Sequence, residues 1–267
     1  MASRKYQDQL RLRKQRRKLL KLLIALGVVF LILAGVIYFL FFAKIFDVRT
    51  VEIEGAETVA GGEIEQVINN WLDGRRLGVK RRSNSFVFSV KKISPLLANQ
   101  FLKIDSAEVS KKSAHEIEVS VTERKPMGLW CLSKPGVCYY FDKNGVAYAE
   151  TGSSEGFILT LVRDDRERQI KLGELVAPPA WIGNIDTARE LLKKGGLDIS
   201  GFIIPADALD GFDAKTSFGW PILFSHSTDV GKQISALFDV LKSKIPADQL
   251  LKLEYIDLRI QDRVYYK

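Results

Sequence analysis

Residues 116–126 read Glu-Ile-Glu-Val-Ser-Val-Thr-Glu-Arg-Lys-Pro. Ile117, Val119 and Val121 alternate with Glu116, Glu118, Ser120 and Thr122, the period-two pattern of a strand with one buried face. Pro126 closes the run, and the chain changes character across it. Just upstream, Lys111–Ala114 is a polar tip and Ala107 and Val109 alternate in a preceding strand, so the pair predicts a hairpin. Before the hairpin, region 89–102 predicts a short helix with Ile93, Leu97 and Phe101 on one face. Either Ser89 caps it, or Ser94 does with Pro95 at the first helical position. Further back, Ile64, Val67, Ile68, Trp71 and Leu72 recur at helical spacing over Glu63–Asp73, with Trp71 expected in the core and Gly74 at the end. Phe46–Glu54 is an extended run, Val51 and Ile53 alternating with Glu52 and Glu54, closed by Gly55. The order β-α-α-β-β lets one sheet, with both helices on one face, bury every apolar stripe.

Downstream of Pro126 short strands dominate. Met127–Leu132 and Val137–Phe141 flank a Ser-Lys-Pro-Gly turn, and Asn144-Gly145 marks a second hairpin turn. Further strands are expected near 157–162, 201–204, 212–216 and 221–224. One helix is expected over 181–194 (Trp181, Ile185, Ala188, Leu192) and another over 229–244 (Val230, Ile234, Leu237, Phe238, Leu241). The chain closes with 253–259 and 263–267, which are two strands or one strand broken at Gln261-Asp262. The fold class is therefore α+β, with a β-rich second part.

Working outward to the N-terminus, residues 22–43 carry no charge and would run about 33 Å as a helix, enough for a hydrocarbon core of about 30 Å. The run is too long for the apolar region of a cleaved signal peptide, so it predicts a single transmembrane helix. The chain has 40 Lys+Arg against 32 Asp+Glu, a formal net charge of +8. Arg4, Lys5, Arg11, Arg13, Lys14, Arg16, Arg17, Lys18 and Lys21 face a single acid, Asp8, in residues 1–21, so the whole excess lies there and residues 44–267 balance. The positive-inside rule keeps this tail in the cytoplasm and the rest outside. A nucleic-acid-binding surface is not implied, because the folded region has no net positive charge.

The sequence holds no G-x-S-x-G, H-E-x-x-H or Walker A motif, and His115 and His226 stand far apart with nothing catalytic around either. No catalytic, metal or cofactor residues are assigned, and no small-molecule substrate. Cys131 and Cys138 flank the 133–136 turn, where they form either a cross-strand disulfide, which an outer location permits, or a pair of buried thiols. A terminal strand has no successor and is a candidate sheet edge, able to accept a partner's strand, with Val264, Tyr265 and Tyr266 supplying contact area. The alternative is that the tyrosines are core and cover, and that Asp257 and Arg259 pair locally.

The run Val119-Ser-Val-Thr-Glu-Arg-Lys-Pro126 followed by Trp130 resembles the end of the POTRA module in the FtsQ/DivIB family of bacterial cell-division proteins. Phe46–Gly55, Tyr140-Phe-Asp-Lys-Asn-Gly145, and Tyr255-Ile-Asp-Leu-Arg259 with Val264-Tyr-Tyr266 are similar to that family's opening strand, β-domain hairpin and terminal strands, in the same order. The resemblance implies a cytoplasmic tail (1–21), a transmembrane helix (22–43), a POTRA domain (44–125) and a β domain (126–267). It implies a non-enzymatic scaffold in the plasma membrane, at the septum, that binds bitopic partners of the FtsB/DivIC and FtsL type and helps control septal peptidoglycan synthesis. Partner binding is then expected at Tyr255, Asp257, Arg259, Ile260, Val264, Tyr265 and Tyr266, with Trp130 packing the junction between domains. The competing readings are a POTRA-bearing envelope assembly or secretion factor, and an anchored hydrolase or sortase using Cys131 or a histidine.

Overall fold

The computed structural model describes residues 2–42, 44–76, 79–80, 83–85, 89–151, 159–246 and 248–267. The protein is α+β, and beyond its first helix it is rich in strand. It divides into two compact units, Met1–Asn99 with Ser106–Thr122, and Gln100–Asp105 with Glu123–Lys267.

The first helix, α1 (Ala2–Phe42), is continuous through the basic tail. Arg, Lys, Gln and Leu are all strong helix formers, so nothing in the tail breaks it. Within it, Lys18–Leu40 has a mean hydropathy of 2.9 and is long and apolar enough to cross a membrane. Ala43, the last residue of the expected span, lies outside the described residues.

After a 3-10 turn at Lys44–Phe46, β1 spans Thr50–Glu54, shorter than expected. The residues before it are drawn elsewhere: Ser85 N–H donates to the Phe46 carbonyl (2.8 Å) and Val48 N–H to the Ser83 carbonyl (2.8 Å). Gly55 follows at φ 78°, and a Cβ there would collide with the Val121 carbonyl. In α2 (Gly61–Leu72) the buried line is Ile64, Ile68 and Leu72. Trp71, expected in the core, sits beside that line and is only half-buried. A small hairpin of β2 (Arg75–Arg76) and β3 (Val79–Lys80) intervenes, which no apolar pattern announces. A 3-10 turn at Val90–Lys92 then leads into α3 (Ile93–Gln100), which buries Ile93 and Leu97. Neither expected cap forms: Ser89 makes no side-chain capping bond to the 3-10 turn, and Ser94 falls inside α3. The strands β4 (Ile104–Lys111) and β5 (Glu116–Glu123) complete a sheet of order β1-β5-β4. β1 runs parallel to β5, with Val51 opposite Ile117 and Ile53 opposite Val119.

The second unit contains β6 (Gly128–Leu132), β7 (Cys138–Phe141), β8 (Ala147–Thr151), β9 (Thr160–Asp164), α4 (Pro179–Lys194), β10 (Ile199–Ile204), β11 (Gly211–Thr216), β12 (Pro221–Ser225), α5 (Val230–Ser243), β13 (Ile256–Asp257) and β14 (Tyr265–Tyr266). Among the described residues they form one sheet, ordered β14-β13-β12-β11-β10-β9-β6-β7-β8. The expected strand at 157–162 is observed as β9; residues 157 and 158 lie outside the described residues. The Asn-Gly turn forms as read. Asp142 accepts the N–H groups of Asn144 and Val146 (both 2.9 Å), and Gly145 adopts φ 81°.

One core unites the sheet with its two helices. Ile182, Ile185, Ala188 and Leu192 of α4 and Val230, Ile234 and Leu237 of α5 pack with Val162, Phe202, Ile204, Phe212, Ile222, Phe224 and Ile256 of the strands. Trp130 is fully buried inside this core. Its indole N–H donates to Asp164 (3.0 Å), a fully buried carboxylate also held by Arg166 and Arg168. Burial alone would raise the Asp164 pKa, but these hydrogen bonds and charges outweigh it and hold the group below the ordinary carboxylate range.

Candidate partner-binding edge

The two-strand reading of the C-terminus holds. β13 runs parallel to β12, with Ile256 opposite Ile222 and Asp257 opposite Leu223, and β14 returns antiparallel beside it. The turn between them has a clear origin. Asp257 accepts from Arg259 three times, through its backbone N–H (3.0 Å), Nε (2.9 Å) and Nη2 (2.7 Å). The Leu258 N–H donates to Leu223 (2.9 Å) while its side chain is buried. Arg263 N–H closes on the Ile260 carbonyl (3.2 Å), and Asp262 takes φ 59°, a left-handed conformation that Asp tolerates better than most residues. This is the break read at Gln261-Asp262, and it lets the chain fold back on itself.

The chain end is tied down. Glu254 N–H donates to the Lys267 carbonyl (2.6 Å), Lys267 N–H donates to the Tyr255 carbonyl (3.3 Å), and the Lys267 ammonium pairs with Glu254 (2.8 Å). With the Lys267 N–H bonded to the Tyr255 carbonyl, alternation along an antiparallel ladder directs the N–H and C=O of Tyr266 away from β13. β14 is the last strand in the sheet order, so those groups lie on its outer edge. Tyr265 and Tyr266 are 43% and 46% exposed, and Ile260 is 52% exposed. Val264 packs against the core and Tyr255 is half-buried. The structure thus gathers all seven sequence-selected residues at one corner, in three roles. Tyr266, Tyr265 and Ile260 present free surface, Val264 and Tyr255 support the strand, and Asp257 and Arg259 pair with each other.

Next to this corner a cavity of about 280 Å³ opens between α5 and the β13–β14 turn, lined by Asp229, Lys232, Leu258, Ile260 and Arg263 among others. On the sheet, Asp213, Leu223, Asp257 and Tyr265 are successive cross-strand neighbours and share one face. Burial pushes the Asp213 carboxyl up to about 6, partly opposed by the Arg259 guanidinium. The Arg259 hydrogen bond holds Asp257 below its ordinary value. Asp213 was not singled out from sequence; a lone acid in an alternating strand looks like an ordinary outward residue.

The cysteines and histidines that a catalytic reading would use have defined surroundings. Cys131 and Cys138 lie opposite each other on β6 and β7 and are joined in a disulfide. His115 Nδ1 is 3.1 Å from the Asp47 carbonyl. His226 is stacked between Trp181 (4.2 Å) and Phe212 (4.6 Å), with Nδ1 near Asn184 (3.2 Å) and Nε2 buried without a hydrogen-bond partner. Burial pushes this imidazole down to about 4. Ser225 bonds to Asp210 (2.9 Å) and Ser227 (2.7 Å). Among the described residues no group of three or more His, Cys, Asp or Glu side chains is placed to hold a metal ion. Set against protein-family models and against curated proteins, the chain matches none.

Proposed function

We propose that this chain is a non-enzymatic, single-pass scaffold of the bacterial division machinery, of the FtsQ/DivIB type. Its N-terminus lies in the cytoplasm, and residues 44–267 lie outside and bind bitopic partners of the FtsB/DivIC and FtsL type. The observation that carries the proposal is the outer edge of β14, which combines outward-directed backbone groups with two half-exposed tyrosines. A partner strand added there gains main-chain hydrogen bonds together with aromatic contact area. The β-α-α-β-β framework of the first unit, with β1 parallel to β5, supports its reading as a POTRA domain. The apolar helix supports the single pass, and the basic residues at its N-terminal side support the orientation.

The test is imaging of a fluorescent fusion at the N-terminus, comparing the full chain with one truncated before Leu253. A midcell band for the full chain, with loss of later division proteins from midcell in the truncation, is the expected result. A uniform envelope signal through the cell cycle overturns the division assignment and favours an envelope assembly or secretion factor.

A further inference from the structure

The last four carbonyls of a helix have no partner inside it, and in or beside a bilayer there is little water to satisfy them. α1 ends at Phe42, so Leu40 supplies one of these carbonyls. It accepts from the side-chain amide of Asn84 (3.1 Å), a residue 44 positions away in sequence and only 2% exposed. Phe39, one position earlier on α1, stacks edge-on against Phe46 just past the helix (6.1 Å).

The segment that leaves the helix is held in the same way. Residues 83–85 run antiparallel to it, with Asn84 bridged to Asp47. Ser85 N–H donates to the Phe46 carbonyl and Val48 N–H to the Ser83 carbonyl (both 2.8 Å), while the Ser83 hydroxyl donates to Asp47 (3.1 Å). The tip of the β4–β5 hairpin adds further bonds. His115 Nδ1 lies 3.1 Å from the Asp47 carbonyl, and the N–H groups of Arg49 and Thr50 donate to the His115 carbonyl (2.8 and 3.1 Å). The Lys111 ammonium of β4 donates to the Ser85 carbonyl, which ties the 83–85 segment to the sheet. Each residue from Phe46 to Thr50 thus holds a hydrogen bond to 83–85 or to His115. All of these residues, and α1 itself, belong to the first compact unit.

We infer that residues 83–85, with Asn84 as the latch, clamp the apolar helix to the first unit, so that the two tilt and turn as one body. The inference rests on the proposed span. A free linker absorbs motion by rotation about its φ and ψ angles, whereas here such rotation breaks bonds that hold the segment on both sides. The helix is then a lever rather than a tether. A neighbour that turns it within the membrane turns the first unit outside.

The experiment uses the full chain in phosphatidylcholine nanodiscs, spin-labelled at two added cysteines. Cys131 and Cys138 are joined to each other and take no label. One label is at Leu22→Cys, exposed on α1 and about 27 Å along the helix from Leu40, and the other at Glu65→Cys, exposed on α2. At that lever arm a sway of about 15° moves the label by about 7 Å. The reference pair is Glu65→Cys with Glu108→Cys, both exposed positions of the first unit. Recovery of the chain with the discs tests the span by itself. Electron–electron distance measurement is expected to give the helix pair a distribution about as narrow as that of the reference pair. Asn84→Leu keeps a side chain of similar shape and removes the donor, and should broaden the helix pair at least about twofold while the reference pair stays narrow. A helix pair more than about twofold broader than the reference in the unaltered chain overturns the inference. So does a helix pair that stays narrow in Asn84→Leu. If Asn84→Leu broadens the reference pair as well, the unit has unfolded, and the comparison of the two pairs in the unaltered chain decides.

Discussion

The sheet of the second unit has two edges, and the chain treats them differently. At the β8 edge a returning segment covers the first residues. Ala147 N–H donates to the Glu174 carbonyl (2.9 Å), Gly173 N–H to Ala147 (2.7 Å) and Val176 N–H to Gly145 (2.8 Å), with Val146 bridged to Leu175. Ala147 is fully buried there, and burial pushes the neighbouring Tyr148 hydroxyl up to about 12. At the β14 edge nothing of the kind is seen among the described residues, and two tyrosines stand half-exposed. An open edge invites unwanted pairing, so a protein that covers one edge and leaves aromatic area on the other has a use for the second. The covered edge belongs to the fold, and the open one is the edge we propose for a partner.

The largest expected effect comes from breaking the covered edge. Ala147→Pro deletes the bond to Glu174 in a fully buried position, and should destabilise the second unit by about 3 kcal/mol or more, read by chemical denaturation. Reducing the disulfide strikes the same half of the sheet. Cys131 and Cys138 are 7 residues apart, so the loop is short and the loss should be about 2 kcal/mol, seen as a lower denaturant midpoint with reductant. At the open edge the same kind of backbone change should act on binding instead. Tyr266→Pro removes an outward-directed N–H, which edge strands tolerate, so stability should hold within about 1 kcal/mol. Affinity for the extracytoplasmic segment of an FtsB/DivIC-type partner, measured by calorimetry, should fall at least about tenfold, or 1.4 kcal/mol.

Two smaller effects sharpen the contrast, because both groups belong to the open half. The Asp213 carboxyl titrates near 6 when folded, above its unfolded value of about 3.9. The folded state therefore binds the proton more tightly, and the charged carboxylate costs stability above pH 6. Asp213→Asn should raise the melting temperature at pH 7.5, with the gain vanishing towards pH 4. His226 titrates near 4 when folded, below its unfolded value of about 6.5. Its neutral form supports the fold at neutral pH, and that support is lost as pH falls from 6.5 to 4. His226→Phe keeps a ring between Trp181 and Phe212 and should flatten the acid side of the melting profile. The two groups act in opposite directions over one pH window, so the single variants separate them.

Much of this architecture was legible because its signals are local. Alternation at Ile117, Val119 and Val121 marked β5, helical spacing at Ile185, Ala188 and Leu192 marked α4, and Gln261-Asp262 marked the return before β14. The covered edge was not legible. Residues 170–177 show no strand pattern, because they pair through only a few backbone groups, and that pairing is long-range. The β2–β3 hairpin escaped notice because its strands are two residues each and mostly basic, so no alternation can show. Tyr265 and Tyr266 stood out by composition, but the direction of the Tyr266 backbone depends on the register with Ile256 and Asp257, which no single-chain pattern supplies. The Asp257–Arg259 pair was foreseen as an alternative to partner contact. Its intramolecular bonds leave Tyr265, Tyr266 and Ile260 as the surface most open to a partner.

The claim that β14 accepts a partner strand is tested most directly by amide hydrogen exchange at single-residue resolution, with and without the extracytoplasmic segment of such a partner. The account predicts that the Tyr266 amide, fast in the free chain, becomes strongly protected in the complex, while the Ala147 amide is slow in both. A complex that forms while Tyr266 exchange stays fast would contradict it.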